Sequence, residues 1–76
     1  MTNAECERRI AKIFDRYDER RNRINKKYEI RWRNAMTASE VLSVNEWHDR
    51  ELERLSQWYR KSLKKLNDDT KREGVV

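Results

Sequence analysis

An all-α fold, a long antiparallel two-helix hairpin of the coiled-coil kind, is what this sequence predicts. Three observations carry the prediction. The 76 residues include one Gly, Gly74, and no Pro, so the usual turn and breaker chemistry is missing before position 74. Apolar residues recur at steps of three, four or seven, the spacing of one helix face. Helix-start signals stand at the beginning of the chain and again near its middle.

The first signal is Thr2-x-x-Glu5, a capping box in which the hydroxyl accepts from a backbone N–H that the helix leaves unpaired. Beyond it Ile10, Phe14, Tyr17, Ile24, Tyr28 and Ala35 form an apolar line, giving a first helix of about residues 3–36. Two further boxes, Thr37-x-x-Glu40 and Ser43-x-x-Glu46, enclose a polar and β-branched stretch and place a bend at about 37–44. The second helix, about 45–68, carries His48, Leu52, Leu55, Tyr59, Leu63 and Leu66 on one face. A frayed tail, 69–76, completes a single helical domain spanning residues 1–76. The alternative is one uninterrupted helix in a longer coiled coil, since no Gly or Pro forbids it.

Charge favours the hairpin. Residues 20–33 sum to +6 and residues 40–53 to −4, and folding back near residue 40 sets the two blocks side by side. Both apolar arcs are wider than one seam needs: Ile13 and Trp32 flank the line of the first helix, and Trp47 and Trp58 lie 11 residues apart on one edge of the second. A single hairpin of this length has little to bury, so a homodimer closing into a four-helix bundle is expected, with Trp32, Trp47 and Trp58 as protein-interface residues. Arg21, which interrupts the first seam, is suited to pairing with a carboxylate across such a dimer. His48 on the second seam is suited to a hydrogen bond with a seam tyrosine such as Tyr28, or to a pH-dependent switch.

The most specific feature is a basic stripe. At about 100° per residue, Arg9, Lys12, Arg16, Arg20, Arg23, Lys27 and Arg31 share an arc of about 100°. A charge run is ordinarily a solvated face. Here, however, five of the seven are Arg, whose planar fork suits phosphate or carboxylate, and the net charge of +5 lies wholly in the first half of the chain. Arg60, Lys61, Lys64 and Lys65, next to Trp58, form a second basic cluster. Together these residues are the candidate contacts to a nucleic-acid backbone or an acidic partner.

Enzymatic chemistry finds no support in the residues. No Ser-His-Asp set can be assembled at helical spacing, there is no Gly-rich phosphate loop, and the residue three before His48 is Asn45 rather than Glu. The lone Cys6 and lone His48 do not make a zinc site, and neither a metal, a cofactor nor a small-molecule substrate is expected. No run approaches the roughly 18 apolar residues of a membrane span and the first residues lack a secretory core, so a cytoplasmic protein without membrane partners is expected.

In architecture the expected molecule is similar to plasmid RNA-binding hairpins of the Rop type, which dimerise into four-helix bundles, although no motif residues are shared. Lys27-Tyr28-Glu29-Ile30 and His48-Asp49-Arg50-Glu51-Leu52 resemble segments of the Hha family of nucleoid modulators in a different spacing and order, from which no function follows. Small size and high charge are also similar in style to phage-encoded inhibitors, anti-CRISPR proteins among them. Three functions follow as expectations: a regulatory binder that grips RNA or DNA backbone, a phage-type inhibitor of a protein in a nucleic-acid machine, or a structural oligomerisation module.

Overall fold

The computed structural model describes residues 2–72 and consists, over that range, of two long helices. Helix α1 runs Asn3–Asn34 and α2 runs Ala38–Arg72, folded back on each other in a rod of 56 × 16 × 9 Å. Neither helix is long and apolar enough to cross a membrane.

Thr2 caps α1 as its sequence indicates, its Oγ1 accepting from the Glu5 N–H at 3.2 Å. The reversal between the helices takes only three residues. Ala35 leaves α1 in an extended conformation (φ −72°, ψ 126°), and its N–H donates to the Trp32 carbonyl at 3.2 Å. Thr37 then caps α2: its Oγ1 accepts from the Glu40 N–H at 3.1 Å, while the Glu40 carboxylate reaches back to the Met36 N–H at 3.0 Å. Orphan donors are thus satisfied from both directions across the turn.

The bend expected over 37–44 is therefore too long, and α2 begins seven residues before the expected start at 45. Ser43 lies inside α2, so the second capping box does not cap. The expected tail also shrinks, because 69–72 continue the helix; Gly74 and the rest of 73–76 lie outside the described residues.

Contacts across the seam define one antiparallel register. Tyr17 packs on Tyr59 with ring centroids 4.9 Å apart, Phe14 meets the same Tyr59 at 5.7 Å, and Tyr28 stacks on His48 at 4.1 Å. Tyr28 Oη donates to Asn45 Oδ1 at 2.7 Å, and His48 Nε2 donates to Asn25 Oδ1 at 2.9 Å. The His48 hydrogen bond thus goes to Asn25, and Tyr28 supplies a stacked ring instead. At the open end Arg9 pairs with Asp69 at 3.1 Å.

An 11-residue repeat underlies this register. Cys6, Tyr17 and Tyr28 recur on α1, as do Ile13, Ile24 and Ala35; on α2 the matching series are Val44, Leu55, Leu66 and Val41, Leu52, Leu63. Eleven residues over three turns need about 3.67 residues per turn, slightly above the relaxed 3.6, a period that favours slight right-handed coiling where a strict heptad imposes a left-handed supercoil. Yet the seam closes over little. Leu55 and Leu66, each 4% exposed, are the buried apolar residues among those described.

Cap chemistry yields a direct test of where α2 starts. Thr37→Ala should cost about 1 kcal/mol of stability, whereas Ser43→Ala, an interior helix position, should change it by less than about 0.5 kcal/mol. Urea denaturation followed by circular dichroism measures both; equal losses would contradict the observed start of α2.

Candidate nucleic-acid interface

Two helices in one register make two different flanks. Counting about 100° per residue from the seam, α1 puts its basic stripe on the same flank as Trp47, Trp58, Arg54, Lys61 and Lys65 of α2. Phe14 and Trp32 fall on the other flank, beside Leu52, Tyr59 and Leu63. The observed Phe14 and Tyr59 contact agrees with this assignment.

All seven stripe residues are exposed, but they are not equivalent. The Arg20 guanidinium lies 4.5 Å from the ring centroid of Trp58 and the Arg31 guanidinium 4.2 Å from that of Trp47. Arg9, 11 residues before Arg20, meets Asp69, 11 residues after Trp58. Every repeat thus sends one arginine across the seam. Such a contact is worth about 0.5–1 kcal/mol at an exposed site, because the guanidinium sits on the electron-rich face of the indole. The outer members, Lys12, Arg16, Arg23 and Lys27, project further from the seam; among them Arg23 approaches Glu19 at 3.8 Å, with both side chains about 70% exposed. A pair that open to solvent leaves the arginine available to another anion.

Between the arginine crossings the flank is recessed. Arg9, Lys12, Arg16 and Lys65 surround a hollow of about 230 Å³ over Ile13 and Ser62. One repeat further along, Arg20, Arg23, Lys27 and Arg54 surround a second of about 250 Å³ whose floor is Ile24 and Leu55, with Glu51 on the rim. The third repeat, near the turn, contains Arg31 with Glu40 and is otherwise neutral, being lined by Asn34, Ala35, Ser39, Ser43 and Val44. Positive charge is therefore concentrated in the first two repeats.

The second basic cluster does not stay together. Lys65 joins the first hollow, and Lys61 falls on the same flank, but Arg60 and Lys64 lie about 140° and 180° from buried Leu55 and so point to the outer face of α2. The three tryptophans also divide. Trp47 and Trp58 are half-buried beneath their arginines, whereas Trp32 is 53% exposed on the opposite flank. Nor, among the described residues, do the charged blocks pair directly: a cross-seam ion pair joins Arg9 to Asp69, outside both blocks, and Arg20 and Arg31 of the positive block lie over indole rings. The 11-residue spacing of Trp47 and Trp58 was the available signal for these crossings, since Arg9, Arg20 and Arg31 repeat it on α1.

Among the described residues, no group of three or more His, Cys, Asp or Glu stands where it would hold a metal ion. Comparison with protein-family models, curated proteins and solved structures finds no match to the chain. Any functional reading therefore rests on its residues and their geometry.

A double-mutant cycle measures the crossing itself. Arg20→Ala, Trp58→Leu and their combination should give a coupling energy of about 0.5–1 kcal/mol in thermal or chemical unfolding; strict additivity would show that the contact contributes nothing.

Proposed function

We propose that this chain is a small non-enzymatic regulatory protein that grips nucleic-acid backbone through its basic flank. The observation that supports this reading is the merging of the α1 stripe with Arg54 and Lys65 of α2 around two adjacent hollows. Cations gathered on one flank repel one another in the free protein, and a polyanion relieves that repulsion while releasing its own counterions. Phosphates are contacted by charge and by the arginine fork, so binding is insensitive to base sequence and steeply dependent on salt.

The active form in this reading is a homodimer joined through the opposite flank into a four-helix bundle. The chain exposes 6348 Å², against about 5000 Å² for a compact globular protein of its mass. Phe14, 48% exposed, and Trp32 supply aromatic surface for a second copy on a flank where Glu7, Asp18 and Glu29 stand beside Arg21. Opposite charges at that rim suit a two-fold interface, whereas basic flanks facing each other would repel.

A protein target is the second reading, favoured by apolar exposure near the turn: Ile30, Trp32, Met36 and Leu42 are all more than half exposed there, Met36 reaching 91%. In that case the chain acts as an inhibitor, anchored by these side chains and by its arginines on an acidic partner.

Reversing Arg16, Arg23 and Lys27 to Glu should abolish binding of labelled DNA or RNA, seen as loss of an anisotropy change at about 50 mM salt, while helical circular dichroism is retained. Unchanged binding would overturn the backbone-grip reading. Separately, sedimentation should report a dimer for the native chain and a monomer for the Phe14→Glu, Trp32→Glu double variant; a native monomer would remove the four-helix bundle.

A further inference from the structure

The basic flank carries a period as well as a charge. Its two cationic hollows are related by the 11-residue repeat, Arg9 to Arg20, Lys12 to Arg23, Arg16 to Lys27, and in reverse along α2, Lys65 to Arg54. At about 1.5 Å per residue their centres lie about 16.5 Å apart along the rod. A straight rod laid along a B-form duplex crosses each of the two strands once per turn of about 34 Å; the crossings alternate across the narrower minor and the wider major groove, about 17 Å apart on average, a difference that long Arg and Lys side chains can span. The hollows have the spacing, sign and concave form to receive two successive backbone ridges.

Single strands lack this match. Without a partner strand there is no second backbone at a fixed separation, and single-strand binders compensate by stacking bases on open aromatic faces. On this flank the aromatic residues are Trp47 and Trp58, and each has a guanidinium over its ring at 4.2 or 4.5 Å. The exposed Trp32 lies on the opposite flank. Beyond the second hollow the third repeat has Glu40 opposite Arg31, which limits the contact to two crossings.

Building on the backbone-grip reading, we infer that the ligand is double-stranded DNA lying along the hairpin, held at two successive backbone crossings on either side of one groove. The hollow around Ile13 takes one strand and the hollow around Ile24 and Leu55 takes the other.

Fluorescence anisotropy with the full chain at about 50 mM salt tests this, using labelled DNA duplexes of about 12 and 24 base pairs and single strands of the same lengths. The 12-base-pair duplex, a little over one turn, should bind at least about tenfold tighter than its own single strand, since only the duplex offers two backbones at a fixed separation. Lys12→Glu with Arg16→Glu, or Arg23→Glu with Lys27→Glu, should each reduce the salt dependence on the 12-mer by about half. Equal affinity for single strand and duplex would overturn the two-crossing inference while leaving the backbone grip standing. Failure to bind any of these nucleic acids would overturn both.

Discussion

A single seam has to hold two helices of 32 and 35 residues together, and the rest of the molecule depends on how that seam is kept in register. Burial does little of this, because full closure is reached at Leu55 and Leu66. Directional contacts do more. Tyr17 against Tyr59, Tyr28 stacked on His48, and the hydrogen bonds from His48 to Asn25 and from Tyr28 to Asn45 each tolerate only a small sliding of one helix along the other. A purely aliphatic seam would tolerate a slip of one turn far better, since Leu and Ile fill a neighbouring gap almost as well as their own.

Repetition turns these local contacts into a long-range constraint. Because both helices carry the 11-residue period, placing one pair places all the others: Tyr17 opposite Tyr59 implies Tyr28 opposite His48, and Arg20 over Trp58 implies Arg31 over Trp47. The same constraint separates the two flanks. One flank combines the α1 stripe with Arg54, Lys61 and Lys65 around Trp47 and Trp58, with Glu51 and Asp69 among them, and the other carries Phe14, Trp32, Leu52 and Leu63 with Glu7, Asp18 and Glu29. The surface chemistry is thus a consequence of register, and a slipped hairpin would lose the hollows along with the seam.

Much of this was legible in the sequence, but unevenly. The two helices and the cap at Thr2 followed from apolar spacing and hydroxyl chemistry, which are local properties, whereas the antiparallel pairing was expected from the opposite charges of residues 20–33 and 40–53, whose arginines Arg20 and Arg31 lie over indole rings instead. The turn was harder, since Thr37 and Ser43 carry the same signature and a capping box does not announce whether its hydroxyl is needed. Tertiary pairing decides: Val44 and Val41 continue the repeats of Leu55 and Leu52, so starting α2 at residue 45 would leave these two apolar positions outside the helix. The stripe on α1 was readable from one helix alone. What Arg20 and Arg31 lie against was not, because that requires knowing which residues of α2 stand opposite. His48 went to Asn25 rather than Tyr28 for a similar reason: face and neighbourhood were legible, but the choice between adjacent partners is set by about one turn of register.

The arginines at the crossings serve both structure and surface, and this division bears on how the basic flank works. Arg20 and Arg31 are held by indole rings and Arg9 by a carboxylate, so moving them onto a ligand would forfeit contacts of about 0.5–1 kcal/mol each. Lys12, Arg16, Arg23 and Lys27 face no such loss at the seam, and most of any attraction for a polyanion should come from them. The inner arginines contribute positive potential from fixed positions, with their side-chain freedom already restricted by the fold. A flank built in this way presents an ordered inner row of charge and an adaptable outer row, which favours a ligand whose anionic ridges are rigid and periodic over one that must itself be ordered on binding.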